Sequence, residues 1–230
     1  DFSYQEKKGR ISAIKVDECG HEFLGIVLEE NFHLSFPFVF KRENEIYMIP
    51  ETSSNKDIRL YRSTDFPLKW KFEMQLMADV DAADTVVFQE NGVWFLLTNL
   101  CSANIGDHHS ELHVFYSDDL FSKDWLPVKS GNPVIFDSLK ARNGGYFCVD
   151  GKAYRISQSH GRNHYGKGFK LNQIMEVSKE GYIEKEICSI LPNFKSDAIS
   201  THHFSACREV AAIDFARNIR LNADGCPRRD

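Results

Sequence analysis

FHLSFPFVFKRENEIYMIPE, residues 32–51, sets two apolar runs on either side of a polar turn. The first run is Phe36-Pro37-Phe38-Val39-Phe40, and the second is Ile46-Tyr47-Met48-Ile49, closed by Pro50-Glu51. Between them lies Lys41-Arg42-Glu43-Asn44-Glu45. Short runs of aromatic and β-branched residues flanking a polar turn spell an antiparallel hairpin. The first run is apolar at nearly every position, so both of its faces are expected to be buried between neighbouring sheets.

The same order of events recurs along the chain. After residues 32–51, Ile58–Arg62 and Trp70–Met77 alternate apolar with polar residues, as strands with one wet face do. Asp84–Phe88, the turn Gln89–Gly92 and Val93–Thr98 repeat the hairpin, followed by Glu111–Ser117 and Trp125–Val128. A third copy runs through Tyr146–Val149, the turn at Asp150-Gly151, Ala153–Gln158, Gly168–Ile174 and Tyr182–Ile190. Thr201–Ala206 with Glu209–Phe215 begins a fourth, and Ile11–Ile14 with Phe23–Leu28 ends an earlier one.

A unit of about fifty residues with four short strands is the mark of a β-propeller, whose blades are stable only between neighbours. The fold class is therefore all-β, a five-bladed β-propeller incomplete at both ends in this chain. Its expected blades are 1–31 (the end of a first), 32–78, 79–134, 135–192, and 193–230 (the start of a last). A four-bladed ring closed by pairing the terminal pieces is the variant reading. A β-sandwich is the other all-β candidate, and it leaves the recurrence unexplained.

Bulk properties bound the function. The chain has 230 residues, 42% hydrophobic and 27% charged, with net charge −5. That suits a soluble globular protein with a substantial core and gives no basic face for nucleic acid. No run approaches the roughly 20 apolar residues of a membrane-spanning helix, and no signal peptide opens the chain. The six cysteines match no zinc spacing, so no metal and no cofactor are expected. Cys101, Cys148, Cys188 and Cys207 sit in or beside apolar segments and read as buried reduced thiols of a cytoplasmic protein. Three disulfides in a Golgi-lumenal or secreted protein are the alternative.

Inner strands of a propeller line a central channel, and ligand groups project from their ends at one mouth. The polar residues at those starts are His33 and Ser35, Asp81 and Asp84, Arg142 and Asn143, and His202 and His203. The second strands end on Glu51, Asn99 and Gln158. Asp84 with Glu51 is the candidate catalytic pair, since glycoside hydrolysis needs two carboxyls in different environments. His33, Ser35, Arg142, Asn143, Gln158 and His202 are candidate substrate-binding residues. Arg142 has two readings, a grip on an anionic ligand or an ion pair with Asp84 or Glu51 that neutralises the channel. Neighbouring strand residues face opposite ways, so neither His108-His109 nor His202-His203 forms a two-ligand metal site. His108-His109 is expected in a solvated loop, and Trp70, Trp94 and Trp125 in packing between blades.

The blocks HLSFPFVF, EIYMIPE, IRLYR, FPLKW, ADTVVF with NGVWFLLTN, LHVFYSDD, ARNGG and YGKGFKLNQI together resemble one known domain. It is the amino-terminal propeller of glucosamine inositolphosphorylceramide transferases, a domain that also occurs in bacteria alone or fused to formyltransferase-like domains. The resemblance covers about Gly9 to Phe215 and implies a place among the arabinanase, xylosidase, invertase and levansucrase propellers. In that group one Asp opens the first blade, a second Asp opens a later blade, and a Glu supplies the acid. Asp84 matches the second Asp by position. Arg142-Asn143 stands where an acid would open the third whole blade, and no first-blade Asp precedes it in this chain.

These readings imply a propeller that recognises or processes carbohydrate in glycoconjugate synthesis. The expected partners are a sugar, glycolipid or nucleotide-sugar ligand and a fused or associated transferase. A glycosidase or transglycosidase of the furanosidase-like group is the first alternative, and a non-catalytic interaction scaffold the second.

Overall fold

The computed structural model describes residues 1–3, 5–102, 107–161, 164–207 and 210–218, which leaves Cys226 outside the described residues. Among them the regular structure is strand, apart from two 3-10 turns. β1 (Phe2–Ser3) pairs with β2 (Lys8–Gly9), and β3 (Ile11–Asp17) with β4 (Gly20–Leu28). Then β5 (Ser35–Arg42), β6 (Glu45–Glu51), β7 (Asp57–Asp65) and β8 (Lys69–Ala78) form a four-stranded antiparallel sheet in chain order. β9 (Ala82–Glu90), β10 (Val93–Leu100), β11 (Glu111–Ser117) and β12 (Leu126–Pro127) repeat that order, with β13 (Ile135–Phe136) also on β11. β14 (Asn143–Val149), β15 (Lys152–Gly161), β16 (His164–Val177) and β17 (Tyr182–Ile190) make the third whole sheet. Two small pairs follow, β18 (Ala198–Ser200) with β21 (Ala216–Arg217) and β19 (Phe204–Ala206) with β20 (Ala211–Ile213). Three meanders flanked by partial sheets are the propeller, incomplete at both ends.

The apolar runs exist because each inner strand serves two interfaces. Successive side chains of a strand point to opposite faces. On β6, Tyr47 and Ile49 enter the core shared with the second sheet, while Met48 enters the one shared with β3 and β4. On β10, Trp94 and Leu96 turn back to the first sheet, while Phe95 and Leu97 turn forward to the third. A sheet with both faces covered has no use for alternating polarity.

Three turns follow their sequence signals. Asn91 and Gly92, with φ of 50° and 82°, link paired Glu90 and Val93. Asp150 and Gly151, at 50° and 70°, do the same for Val149 and Lys152. Positive φ at both central residues is the two-residue hairpin turn that Asn-Gly and Asp-Gly favour. Glu43, at 55°, starts the turn of the β5–β6 hairpin.

Two expectations fail. β5 is half-open, with Val39 44% exposed, because only the two-stranded β3–β4 hairpin stands on that side. The space left is an apolar groove of about 520 Å³ reaching Ile11, Val39 and Trp70. The cysteines are not buried either: Cys148, Cys188 and Cys207 are exposed, Cys101 is half-buried, and these four and Cys19 are free. Cys188 lies on β17, the outer strand of its sheet with no strand beyond it among the described residues, and Cys148 lies at the exposed end of β14.

Candidate active site or binding funnel

The inner strands are bent at their starts, which opens the mouth of the channel. Register breaks between Ser35 and Phe38, between Leu97 and Asn99, and between Asn143 and Gly145. Phe36 and Asp84 take φ of 42° and 50° at these bulges, and Gly145 takes 139°. A bulge re-aims side chains. A non-glycine residue in the left-handed region stores strain of order 1 kcal/mol, less for Asp than for most. The strain turns Asp84 into the cavity rather than along the regular ladder.

That cavity has a volume of about 620 Å³ and gathers seven of the eight candidate residues: His33, Ser35, Glu51, Asp84, Arg142, Gln158 and His202. His203, Phe36, Pro37 and Tyr165 complete its wall. The eighth, Asn143, lies beneath the cavity and is fully buried. Its amide nitrogen donates to the carbonyls of Asp84 at 2.8 Å and Leu97 at 3.1 Å, tying the second sheet to the third. Its Oδ1 accepts from Arg155 Nη1 at 3.2 Å, so no polar atom is left for a ligand. Asp81 is also outside, paired with Lys56 and with His108 at 2.9 Å.

The floor is a carboxyl pair around one cation. Arg142 Nε donates to Asp84 Oδ2 at 2.6 Å, and its Nη2 lies 3.7 Å from Glu51 Oε2. Gln158 Nε2 donates to the same Asp84 oxygen at 2.9 Å. Burial opposes the charge on Arg142, but contact with Asp84 holds it well above its ordinary value. Glu51 is pushed up to about 7, first by burial and then by the neighbouring charge of Asp84, against the pull of Arg142. Arg142 thus lines the cavity and is at the same time ion-paired with Asp84.

Imidazoles and a phenol form the walls. His33 Nδ1 accepts from the Gly9 N–H at 2.9 Å, and burial lowers its proton affinity. His202 pairs through Nδ1 with Asp214. Asp214 Oδ1 also takes the backbone N–H of His202 at 2.9 Å and of His203 at 2.7 Å. Burial opposes the Asp214 charge, but those donors bring its pKa to about 2. His203 sits edge-on to Phe36 at 5.2 Å, and Tyr165, 55% exposed, edge-on to His202 at 5.0 Å. His109, expected to be solvated, is turned inward instead. Asp107 Oδ1 accepts from the N–H of His109 at 2.8 Å and of Ser110 at 3.0 Å, curling the loop so that the His109 ring lies tilted against that of His160, with centroids 4.1 Å apart.

Two glycines seat the histidine wall. A Cβ on Gly144 would lie 2.4 Å from the His202 carbonyl oxygen, and one on Gly145 2.1 Å from that of Phe204. The Asn143-Gly144-Gly145 block thus lets the last strands lie backbone against backbone on the third sheet. Tyr165, Asp214, His109 and His160 were missed by sequence reasoning. Only Tyr165-Gly166 carried a signal, since Gly166 has φ of 65° and packs on His202. Trp94 and Trp125 are in the inter-sheet core as expected, and Trp70 packs part-buried on the core shared with β3 and β4, its indole N–H on the Pro67 carbonyl at 2.9 Å. Among the described residues no cluster of His, Cys, Asp or Glu is placed to hold a metal ion.

Comparison with known proteins agrees with this architecture. Residues 5–208 match the family described as glucosamine inositolphosphorylceramide transferase 1, N-terminal. A protein called glucosamine inositolphosphorylceramide transferase 1 from Arabidopsis thaliana is 36% identical over 218 residues, which cover 90% of this chain and 28% of that protein. Its namesake from Oryza sativa subsp. japonica is 42% identical over 166 residues, 71% of this chain and 22% of that protein. The chain therefore spans between about a fifth and under a third of the relatives it matches. Among solved structures, a Cellvibrio cellulosa α-L-arabinanase variant superposes with a TM-score of 0.56 at 14% identity, covering 77% of this chain and 68% of that one. An exo-β-1,3-galactanase from Phanerochaete chrysosporium, with galactose, gives 0.52 at 15% identity, covering 80% and 43%. These likenesses fix the fold as that of the five-bladed propeller group.

Proposed function

This chain belongs to the glucosamine inositolphosphorylceramide transferase 1 N-terminal family, and on that premise we propose that its funnel is a carbohydrate-recognition site serving glycoconjugate synthesis. The ligand is the sugar portion of a glycolipid or of an activated sugar, held for a transferase that acts with this domain. One observation carries the reading. Asp84 Oδ2 is already engaged by Arg142 Nε at 2.6 Å and Gln158 Nε2 at 2.9 Å, so the protein itself holds this oxygen as a fixed acceptor. Glu51 faces the same cation, its Oε2 lying 3.7 Å from Arg142 Nη2. Rings at the mouth (Phe36, Tyr165) and hydrogen-bonding groups on the floor are the usual equipment of a sugar site. The exposed free thiols accord with a compartment that keeps cysteine reduced.

A second reading, hydrolysis or transglycosylation, draws on Glu51. A carboxyl pushed up to about 7 has the proton affinity of a general acid. Calorimetry and a glycan array on the whole chain separate the two. The recognition reading expects saturable glycan binding that is weakened in Tyr165→Ala, a ring 55% exposed on the cavity wall, with no turnover of aryl glycosides. Turnover that disappears in Asp84→Asn would install the hydrolase reading instead.

A further inference from the structure

At the floor of the funnel one buried acceptor, Gln158 Oε1, is without a partner, and among the described lining residues each cationic side chain faces a carboxyl. Gln158 is 2% exposed, and its side chain lines the cavity. Its Nε2 donates both to Asp84 Oδ2 at 2.9 Å and to the Asn143 carbonyl at 2.6 Å. Turning the amide over would set its oxygen against those two acceptors, so the orientation is locked. Oε1 is left buried and without a partner. An unpaired buried acceptor is costly unless something outside the chain donates to it.

The charge of Arg142 is already balanced by protein carboxyls. Nε serves Asp84 at 2.6 Å, Nη2 faces Glu51 at 3.7 Å, and Nη1 lies 3.4 Å from His109 Nδ1. His202 is committed to Asp214. The other lining imidazoles, His33 and His203, are held toward the neutral form by burial. A phosphate or carboxylate at the floor would meet Asp84 and Glu51 with no unpaired positive charge among the lining residues.

We propose that the part of the ligand reaching the floor is a neutral polyol, with one hydroxyl donating to Gln158 Oε1 and a neighbouring hydroxyl meeting Glu51. Any phosphate of a larger ligand stays outside. This rests on the carbohydrate-recognition reading and narrows it to the uncharged ring. Gln158 becomes the residue that sets which hydroxyl is required, because a hydroxyl missing there leaves its oxygen unpaired in the complex.

The test uses the whole chain, titrated with glucose, galactose and myo-inositol against glucose 6-phosphate, glucuronate and inositol phosphate. A neutral probe is expected to bind about tenfold or more tighter than its anionic match. Monodeoxy versions of the best neutral probe follow. One of them is expected to lose about tenfold in wild type and nothing further in Gln158→Met. The same contact is read without any substitution from the Gln158 side-chain carbonyl carbon by NMR. Its resonance should move with the full sugar and stay put with that deoxy sugar. Tighter anionic binding, or an unmoved Gln158 carbonyl in a bound neutral complex, overturns this inference while sugar recognition stands. Binding of no probe from either set removes the recognition reading and this inference with it.

Discussion

Arg142 and Asp84 come from the starts of neighbouring inner strands, 58 residues apart in the chain, and meet at 2.6 Å between Nε and Oδ2. The pair joins the second sheet to the third at the channel mouth, and Glu51 of the first sheet joins it at 3.7 Å. Three blades thus share one charge cluster.

Removing the cation should therefore damage the fold as well as the site. Arg142→Met leaves two buried carboxyls facing each other, and breaking a buried pair from one side costs about 3–5 kcal/mol. Urea unfolding should show that loss at neutral pH and a smaller one at pH 5, where Glu51 is protonated. Adding Glu51→Gln to Arg142→Met should recover part of it.

Glu51 predicts a pH dependence with a definite sign. Its folded pKa is raised from 4.5 to about 7, so the native state holds its proton more tightly than the unfolded chain. Stability from this group is intact below pH 4.5 and declines as pH rises through 7, by about 3 kcal/mol in all. Histidines 33, 109, 160 and 203 are lowered and act oppositely, losing stability as pH falls through 6.5. Both proteins share them, so denaturant titrations of wild type minus Glu51→Gln from pH 4.5 to 8 isolate the carboxyl. The variant should gain on wild type as pH rises.

The glycine seam predicts unequal tolerance. Gly144→Ala drives a Cβ to 2.4 Å from the His202 carbonyl oxygen, whereas Gly151→Ala meets nothing within 4 Å and has only its φ of 70° to resist. Overpacking of the first kind costs about 1–3 kcal/mol, and the second about 1 kcal/mol. Thermal melts should rank them so. Only Gly144→Ala should shift the His202 and His203 ring resonances.

Arg155 predicts a large loss at a residue that lies beneath the funnel rather than in its wall. It is fully buried, with Nε and Nη2 each 2.7 Å from Glu184 and Nη2 also on the Lys140 carbonyl at 2.8 Å. Arg155→Met should destabilise by about 3–5 kcal/mol, and Glu184→Leu in that background should return part of it. Double-mutant unfolding measures the coupling.

The fold was legible because its signals are local. Asn91-Gly92 and Asp150-Gly151 name their turns, and runs such as Val93–Thr98 announce strands covered on both faces. The site was legible as far as position in the repeat could carry it, since Glu51 and Gln158 end equivalent strands and Asp84 and Arg142 begin them. Asn143 shared its position with lining residues but turned inward, because the bulge at Gly145 changes which way its side chain faces. Asp214 and His109 arrive from loops whose conformations rest on a carboxylate taking two backbone N–H groups each. No periodicity records those.

Where the last strands meet Gly144 and Gly145, main chain rests on main chain. Such a contact has no rotamers with which to absorb error, so it behaves as a gauge block of fixed thickness. Substitutions elsewhere in these two sheets are free to repack, yet the depth at which the His202 and His203 rings enter the funnel stays the same. The seating of the histidine wall on the third sheet thus depends on two residues that contribute no side chain at all.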